Sequence, residues 1–220
     1  MCAISNVYFT VDIIQTDVSY QNILAGKLQN GPLEIYFPDY RSFTSGLVNK
    51  NQSMRFSVSS QSIDDIYATF LPATYNDVST TTAFANSGTS RYFNKDGSNI
   101  TSSQFQLNSQ FYPSFKPDSQ AVIFQLTSEA FGAATDTLGG TDPLLNTLSA
   151  FTNFFWVHHL RLNHPDAEGN RILSGFDSRG SSANFFWNTE ASSGTGHAWV
   201  FVKSSALLRV GAYRQIEYVA

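Results

Sequence analysis

Cysteine is almost absent from this 220-residue chain: Cys2 is the single one, so no disulfide within the chain supports the fold and packing alone must do so. Charge is scarce as well. Asp, Glu, Lys and Arg make up 14% of the residues, against about 25% in a typical soluble domain. Ser, Thr, Asn and Gln fill the gap. A surface with few ions is weakly protected against association, which points to burial against neighbours as readily as to a neutral secreted β protein. Lys and Arg are scattered without a run, and the net charge is −4. That excludes the basic stripe of a nucleic-acid-binding protein. No stretch approaches the roughly 20 apolar residues of a membrane-spanning helix. The opening MCAISNVYFTVDII lacks a basic n-region and a cleavage-type ending, so it reads as a first strand rather than a signal peptide. The chain is expected to fold in the cytosol.

What is present is aromatic and β-rich. Hydrophobic residues reach 42% and aromatics 15%, ample for a core because each buried aromatic removes a large area from water. Val7, Phe9, Val11 and Ile13 alternate with Tyr8, Thr10, Asp12 and Ile14, which predicts a strand. LEIYFPDYRSF (33–43) is extended, and Pro38 assigns it to a sheet edge or a bulge. Met54, Phe56 and Val58 alternate with Arg55, Ser57 and Ser59, and residues 63–73 supply a further strand. Residues 76–90 read as a long exposed loop. Lys95-Asp96-Gly97-Ser98 is a hairpin-type turn signal. Residues 102–113 predict two strands turning near Asn108-Ser109.

Two helices interrupt this pattern. One is capped by Asp118 or Ser119 and ends near Gly132; the other takes Asp142 as N-cap and Pro143 at its first position, followed by Leu144, Leu145, Leu148, Phe151 and Phe155. Strands resume at 156–162, 185–188, 198–203, 206–210 and 214–220. In the last of these Ile216 and Tyr218 are expected to face the core, with Leu208 and Val210 inward on the strand before. Many short strands with long turns give an all-β jelly-roll sandwich, about eight antiparallel strands in two sheets with one or two short helices.

The candidate chemistry is thin. His158, His159, His164 and His197 do not form a zinc motif, because neighbours on a strand point to opposite faces and no acidic residue completes HExxH. Asp64 and Asp65 are splayed in the same way and mark the start of a strand; Asp12 and Asp17 are no better placed as a glycosidase pair. GxSxG, P-loop, GxGxxG and CxxC patterns do not occur. The sequon matches at Asn51 and Asn99 are near chance in so Asn-, Ser- and Thr-rich a chain. Trp156, Trp187 and Trp199 lie in apolar runs and read as core, which weakens the competing reading, a carbohydrate-binding β-sandwich with exposed stacking platforms. No catalytic, cofactor-binding or metal-ligating residue is assigned.

Taken in order, SMRFSVSSQSIDDIYATFLPAT (53–74), RYFNKDGSNITSSQFQLNSQFYP (91–113), AVIFQLTSEAFG (121–132), SGFDSRGSSANFFWN (174–188) and WVFVKSSALLRVGAYRQIEYVA (199–220) resemble the double jelly-roll major capsid proteins of virophages, polinton-like viruses and large eukaryotic DNA viruses. The patterns are loose, and their order and spacing carry the resemblance. It implies that residues 1–220 form a single jelly roll, the C-terminal half of such a protein or a single jelly-roll subunit. It also implies a virion protein, made in the host cytoplasm or nucleus, that forms homotrimeric, pseudo-hexagonal capsomers of an icosahedral shell. Neighbouring capsomers, penton proteins and minor capsid proteins would be its partners, with no sequence-specific nucleic-acid contact, no cofactor and no catalysis. Loops 76–90 and 163–182 would make outward or neighbour contacts. In 174–188, Asp177 and Arg179 would organise a turn: Asp accepts backbone N–H bonds, Arg bridges backbone and a carboxylate, and Gly175 and Gly180 permit tight conformations.

Overall fold

The computed structural model of the chain describes residues 8, 10–47, 51–72, 95, 97, 100–131, 147–163, 174–180, 185–191, 196–211 and 215–219. Nine strands are described: β1 (Leu33–Leu47), β2 (Asn51–Phe56), β3 (Ile63–Pro72), β4 (Ile100–Leu107), β5 (Gln110–Tyr112), β6 (His158–Arg161), β7 (Phe185–Ala191), β8 (Gly196–Val210) and β9 (Ile216–Val219). They form two sheets, one ordered β1-β8-β3-β6 with β9 also pairing β8, the other β2-β7-β4-β5.

That order defines the topology. A jelly roll is one long antiparallel ribbon rolled up, so its first strand pairs with its eighth, the second with the seventh, the third with the sixth and the fourth with the fifth. All four pairings occur here, and rolling the ribbon sets β8 beside β3 and β7 beside β4. The tip of the ribbon is the two-residue turn between β4 and β5, where Asn108 adopts φ 58°, a left-handed conformation that Asn tolerates better than most residues. The turn lies where the sequence places it, and Pro38 falls on the outermost strand of its sheet, where a missing N–H is tolerated.

The core lies between the sheets and follows from strand alternation. Met54 and Phe105 flank Trp187 in register, and Phe56 and Leu107 flank Phe185; all six side chains are buried. From the facing sheet come Ile66, Ala68, Phe70, Val200 and Val202. Residues 56 and 58 are buried while 55, 57 and 59 are exposed, as the alternation predicts, although the strand itself ends at Phe56.

Helix α2 (Gln120–Ala130) is capped by Ser119, whose hydroxyl accepts from the Val122 N–H, and it buries Ile123 and Thr127. The Thr127 hydroxyl donates to the carbonyl of Val157, just ahead of β6, at 2.9 Å. Helix α3 (Leu148–Phe154) begins behind Thr147, whose side chain accepts from the Ala150 N–H.

Several expectations need correction. Residues 10–17 form neither strand nor helix; the alternation predicted there meets no second strand to pair with. They lead into helix α1 (Val18–Asn30), capped by Asp17 and burying none of its residues. With no apolar stripe of helical period, VSYQNILAGKLQN escapes a periodicity search. Of the second predicted helix the described part is Leu148–Phe154 behind Thr147; Asp142 and Pro143 lie outside the described residues, as do loop 76–90, Gly132 and His164. The two strands predicted at 198–203 and 206–210 are one strand, β8, in which inward alternation shifts where Ala206 and Leu207 are both buried.

The last strand exists as β9, but Ile216 and Tyr218 do not face the core; they are 69% and 50% exposed. Leu208 and Val210 are half-buried. Alternation places residues on faces but does not say whether anything covers the face. Two compact units are distinguished: Met1–Ile35 with Leu208–Tyr218, and Tyr36–Leu207 with Val219–Ala220. The sandwich core belongs to the second.

Candidate functional site

The loop 174–180 is built by its serine, not by its ion pair. The Asp177 carboxylate accepts from the Arg179 backbone N–H at 3.0 Å and from the guanidinium at 2.8 and 3.1 Å. This is the turn predicted from the sequence, and it holds the Asp177 carboxyl down at about 2, first through the guanidinium and then through the backbone N–H. Both side chains are about half exposed, however: Arg179 finds its carboxylate in Asp177, two residues before it, and faces solvent.

Ser178, between them, is buried. Its N–H donates to the Ser60 carbonyl, its hydroxyl accepts from the Ser60 N–H, and the hydroxyl proton goes to the Val58 carbonyl at 2.7 Å. One side chain thus satisfies backbone groups in the segment joining β2 to β3, where no ladder partner exists. Ser178→Ala is expected to cost about 1–3 kcal/mol, the usual penalty for stranding buried polar groups. Arg179→Ala should leave the urea midpoint nearly unchanged, since exposed ion pairs contribute little. Equal effects of the two substitutions on that midpoint would refute the assignment.

Gly175 and Gly180 also part company. A Cβ on Gly175 would lie 2.3 Å from the Ile63 carbonyl oxygen, whereas one on Gly180 would meet nothing within 4 Å. Gly175 is needed for close approach: Phe176 pairs with Ile63 through two backbone hydrogen bonds of 2.9 Å. Gly180 has no such requirement.

Asp64 and Asp65 are splayed as predicted, but both are buried, and they organise more than the start of β3. Asp64 accepts from the hydroxyls of Ser62 at 2.9 Å and Ser205 at 2.6 Å. Asp65 Oδ1 lies 2.8 Å from His159 Nε2 and its Oδ2 3.1 Å from Lys203 Nζ. Burial pushes the Asp65 carboxyl up; hydrogen bonds from His159 and Lys203, reinforced by their charges, outweigh this and the net shift is downward. Tyr67 and Phe131 pack on the His159 ring, each with centroids 4.4 Å apart. The strand positions of these residues were legible. Their convergence was not, because Asp65, His159 and Lys203 come from three strands far apart in sequence.

His158, one residue on, points the other way, as alternation requires. It is buried between the sheets with Nδ1 2.7 Å from Ser103 Oγ, which also accepts from the Trp187 indole N–H at 2.8 Å. A hydroxyl donates once and accepts twice, so Ser103, while holding the indole, pairs with either tautomer of the neutral His158 ring. Burial, and then the nearby charge of His159, push its pKa down to about 3. Among the described residues no three His, Cys, Asp or Glu side chains gather as they would around a metal ion.

Trp156 and Trp187 are wholly buried with ring centroids 6.2 Å apart. Trp199 is half-buried and lies under the Lys95 ammonium, 4.0 Å from the ring centroid. None of the three forms an open stacking platform, and the lectin-like alternative is not favoured. Lys95 also bridges Phe155 in parallel register; the rest of its predicted hairpin turn lies largely outside the described residues. Among the described residues no helix is long and apolar enough to cross a membrane.

No protein-family model matches the sequence, and no curated protein matches it. Solved structures do match in fold. The quasi-atomic model of the PBCV-1 virus capsid aligns over 86% of this chain and 52% of its own, with 11% identity and a TM-score of 0.52. The crystal structure of PBCV-1 VP54, fitted into a cryo-EM reconstruction of the virophage Sputnik, aligns over 93% of this chain and 54% of its own, with 12% identity and a TM-score of 0.55. The mavirus major capsid protein aligns at 13% identity with a TM-score of 0.38, too low to bear on topology. The chain spans about half the length of the two PBCV-1 chains, and the jelly-roll fold that its sequence resembles is the fold it has.

Proposed function

We propose that this chain is a major capsid protein, a structural component of a virion whose copies assemble into trimeric, pseudo-hexagonal capsomers of an icosahedral shell. The observation that carries the reading is the strand order, β1-β8-β3-β6 against β2-β7-β4-β5, in a chain whose fold is shared over about nine-tenths of its length with a viral capsid protein. Its polar groups support the same role. The buried Ser, His and Asp clusters are engaged with backbone and side-chain partners of the chain itself, and the low charge of the chain suits wide, partly hydrated contacts between subunits.

In this reading residues 1–220 supply one jelly roll, corresponding to the C-terminal half of a double jelly-roll subunit. Neighbouring capsomers, penton and minor capsid proteins are its partners. It carries no cofactor and catalyses nothing; synthesis takes place in the host cytoplasm or nucleus. The test is assembly. Purified protein examined by light scattering and negative-stain microscopy over a range of concentrations should associate into trimers or shell-like assemblies. A monomer at every concentration would overturn the reading.

A further inference from the structure

Lysine is rarely taken out of water, yet the Lys203 side chain on β8 is only 20% exposed, with its ammonium 3.1 Å from Asp65 Oδ2 on β3. The two residues lie directly opposite in the β3–β8 register, so backbone pairing holds amine and carboxyl side by side. The carboxyl is 4% exposed, and its other oxygen, Oδ1, lies 2.8 Å from His159 Nε2 on β6. Tyr67 and Phe131 pack on the imidazole, and His159 Nδ1 is buried with no hydrogen-bond partner among the described residues. A tautomer with its only proton on Nδ1 would strand that N–H and set the Nε2 lone pair against a carboxylate, so Nε2–H is the donor to Oδ1. An amine, a carboxyl carbon and a donor on the oxygen that would become negative are the parts that amide formation needs.

We infer that Lys203 and Asp65 condense within the folded chain to an isopeptide cross-link between β3 and β8, with His159 holding the developing oxyanion. The ion pair is the starting state. Proton transfer within it gives a neutral amine and a carboxylic acid, a step that burial eases because it removes two charges from a low-dielectric site. Nζ then attacks Asp65 Cγ while His159 Nε2–H stabilises the negative charge on Oδ1. The Cγ–Oδ2 bond breaks, and Oδ2 leaves as water with its second proton taken from the nitrogen. One ammonium and one carboxylate become one amide and one water, without oxidant, cofactor or net change in protons. Holding the groups in contact supplies the effective concentration that free groups lack, and loss of water from so closed a site opposes the reverse step. This is a single event in each chain, without turnover. It would cross-link a chain whose single cysteine allows no disulfide within it, and once linked Asp65 no longer titrates.

The test is the intact mass of the full wild-type chain, purified and kept folded at pH 7. It should lie below the sequence mass by one water, and a tryptic digest should contain a branched peptide joining the segments that hold Asp65 and Lys203. Lys203→Arg keeps the charge pair but offers no amine nucleophile, so its mass should match its own sequence. His159→Phe keeps a ring between Tyr67 and Phe131 without the donor. It should leave unlinked chain where wild type has none, with water loss slowed about a hundredfold. A wild-type chain at full sequence mass with no branched peptide overturns the inference. Water lost instead as a succinimide at Asp96-Gly97, again with no branch, overturns it too. Equal rates in wild type and His159→Phe would remove His159 from the reaction. None of these results bears on the shell reading, which the assembly experiment tests separately.

Discussion

Gly175→Ala is expected to lower stability by about 3 kcal/mol, at the upper end of the range for overpacking a closed site. The added methyl would sit 2.3 Å from the carbonyl oxygen of Ile63 and 2.6 Å from Ser62 Oγ. A flexible side chain could swing aside, but Ile63 is fully buried, and its backbone N–H and carbonyl are both engaged with Phe176. Relief therefore means opening that bridge, which also pulls on the Gly175 N–H bond to Ser62 Oγ and on the Ser178 anchor. Gly180→Ala in the same loop should be close to neutral, because its Cβ would meet nothing within 4 Å. Urea denaturation of the two variants makes the comparison. Equal midpoints would mean that the loop does not dock on β3 as described.

Acid should destabilise the sandwich well before its carboxylates protonate. The His158 imidazole has its pKa lowered from 6.5 to about 3 by burial, so between those values the unfolded chain binds a proton that the folded chain refuses. Stability is complete above about pH 6.5 and falls by about 1.4 kcal/mol per pH unit toward 3 from this group alone. Asp65 acts lower on the scale. Its carboxyl is shifted down from 3.8, so the stability it contributes is present above that value and is lost as the pH falls through its folded-state pKa. Urea unfolding at pH 7, 6 and 5 should show the slope in wild type and a much flatter line in His158→Gln, whose amide does not titrate. A wild-type stability that stays constant from pH 7 to 5 would show that His158 protonates inside the fold without cost.

Local chemistry was legible in the sequence wherever a short segment decides its own conformation. The Asn108-Ser109 turn, the Ser119 cap, Pro38 on an outer strand and the alternation of Met54, Phe56 and Val58 each depend on a few neighbouring residues, and each lies where the sequence places it. The opposed directions of His158 and His159 follow from the same two-residue period. Errors cluster where a face must find a partner. Ile216 and Tyr218 alternate correctly yet stay exposed, and residues 10–17 carry a strand-like pattern without a strand to pair with. Arg179 forms the turn contact expected of it, but whether that contact is buried depends on how the loop docks, and it is Ser178 that enters the interior.

By itself, then, the sequence determined the β character of the chain, the Asn108-Ser109 turn, the Ser119 cap and the inward set of the central strands, since these follow from backbone sterics and side-chain periodicity over a few residues. Only the tertiary structure decided which strands meet, that Asp65, His159 and Lys203 converge from β3, β6 and β8, and that Gly175 rather than Gly180 is indispensable. Those outcomes depend on contacts between residues far apart in the chain, such as Asp65 and His159 or Gly175 and Ile63, and no local pattern encodes the distance between them.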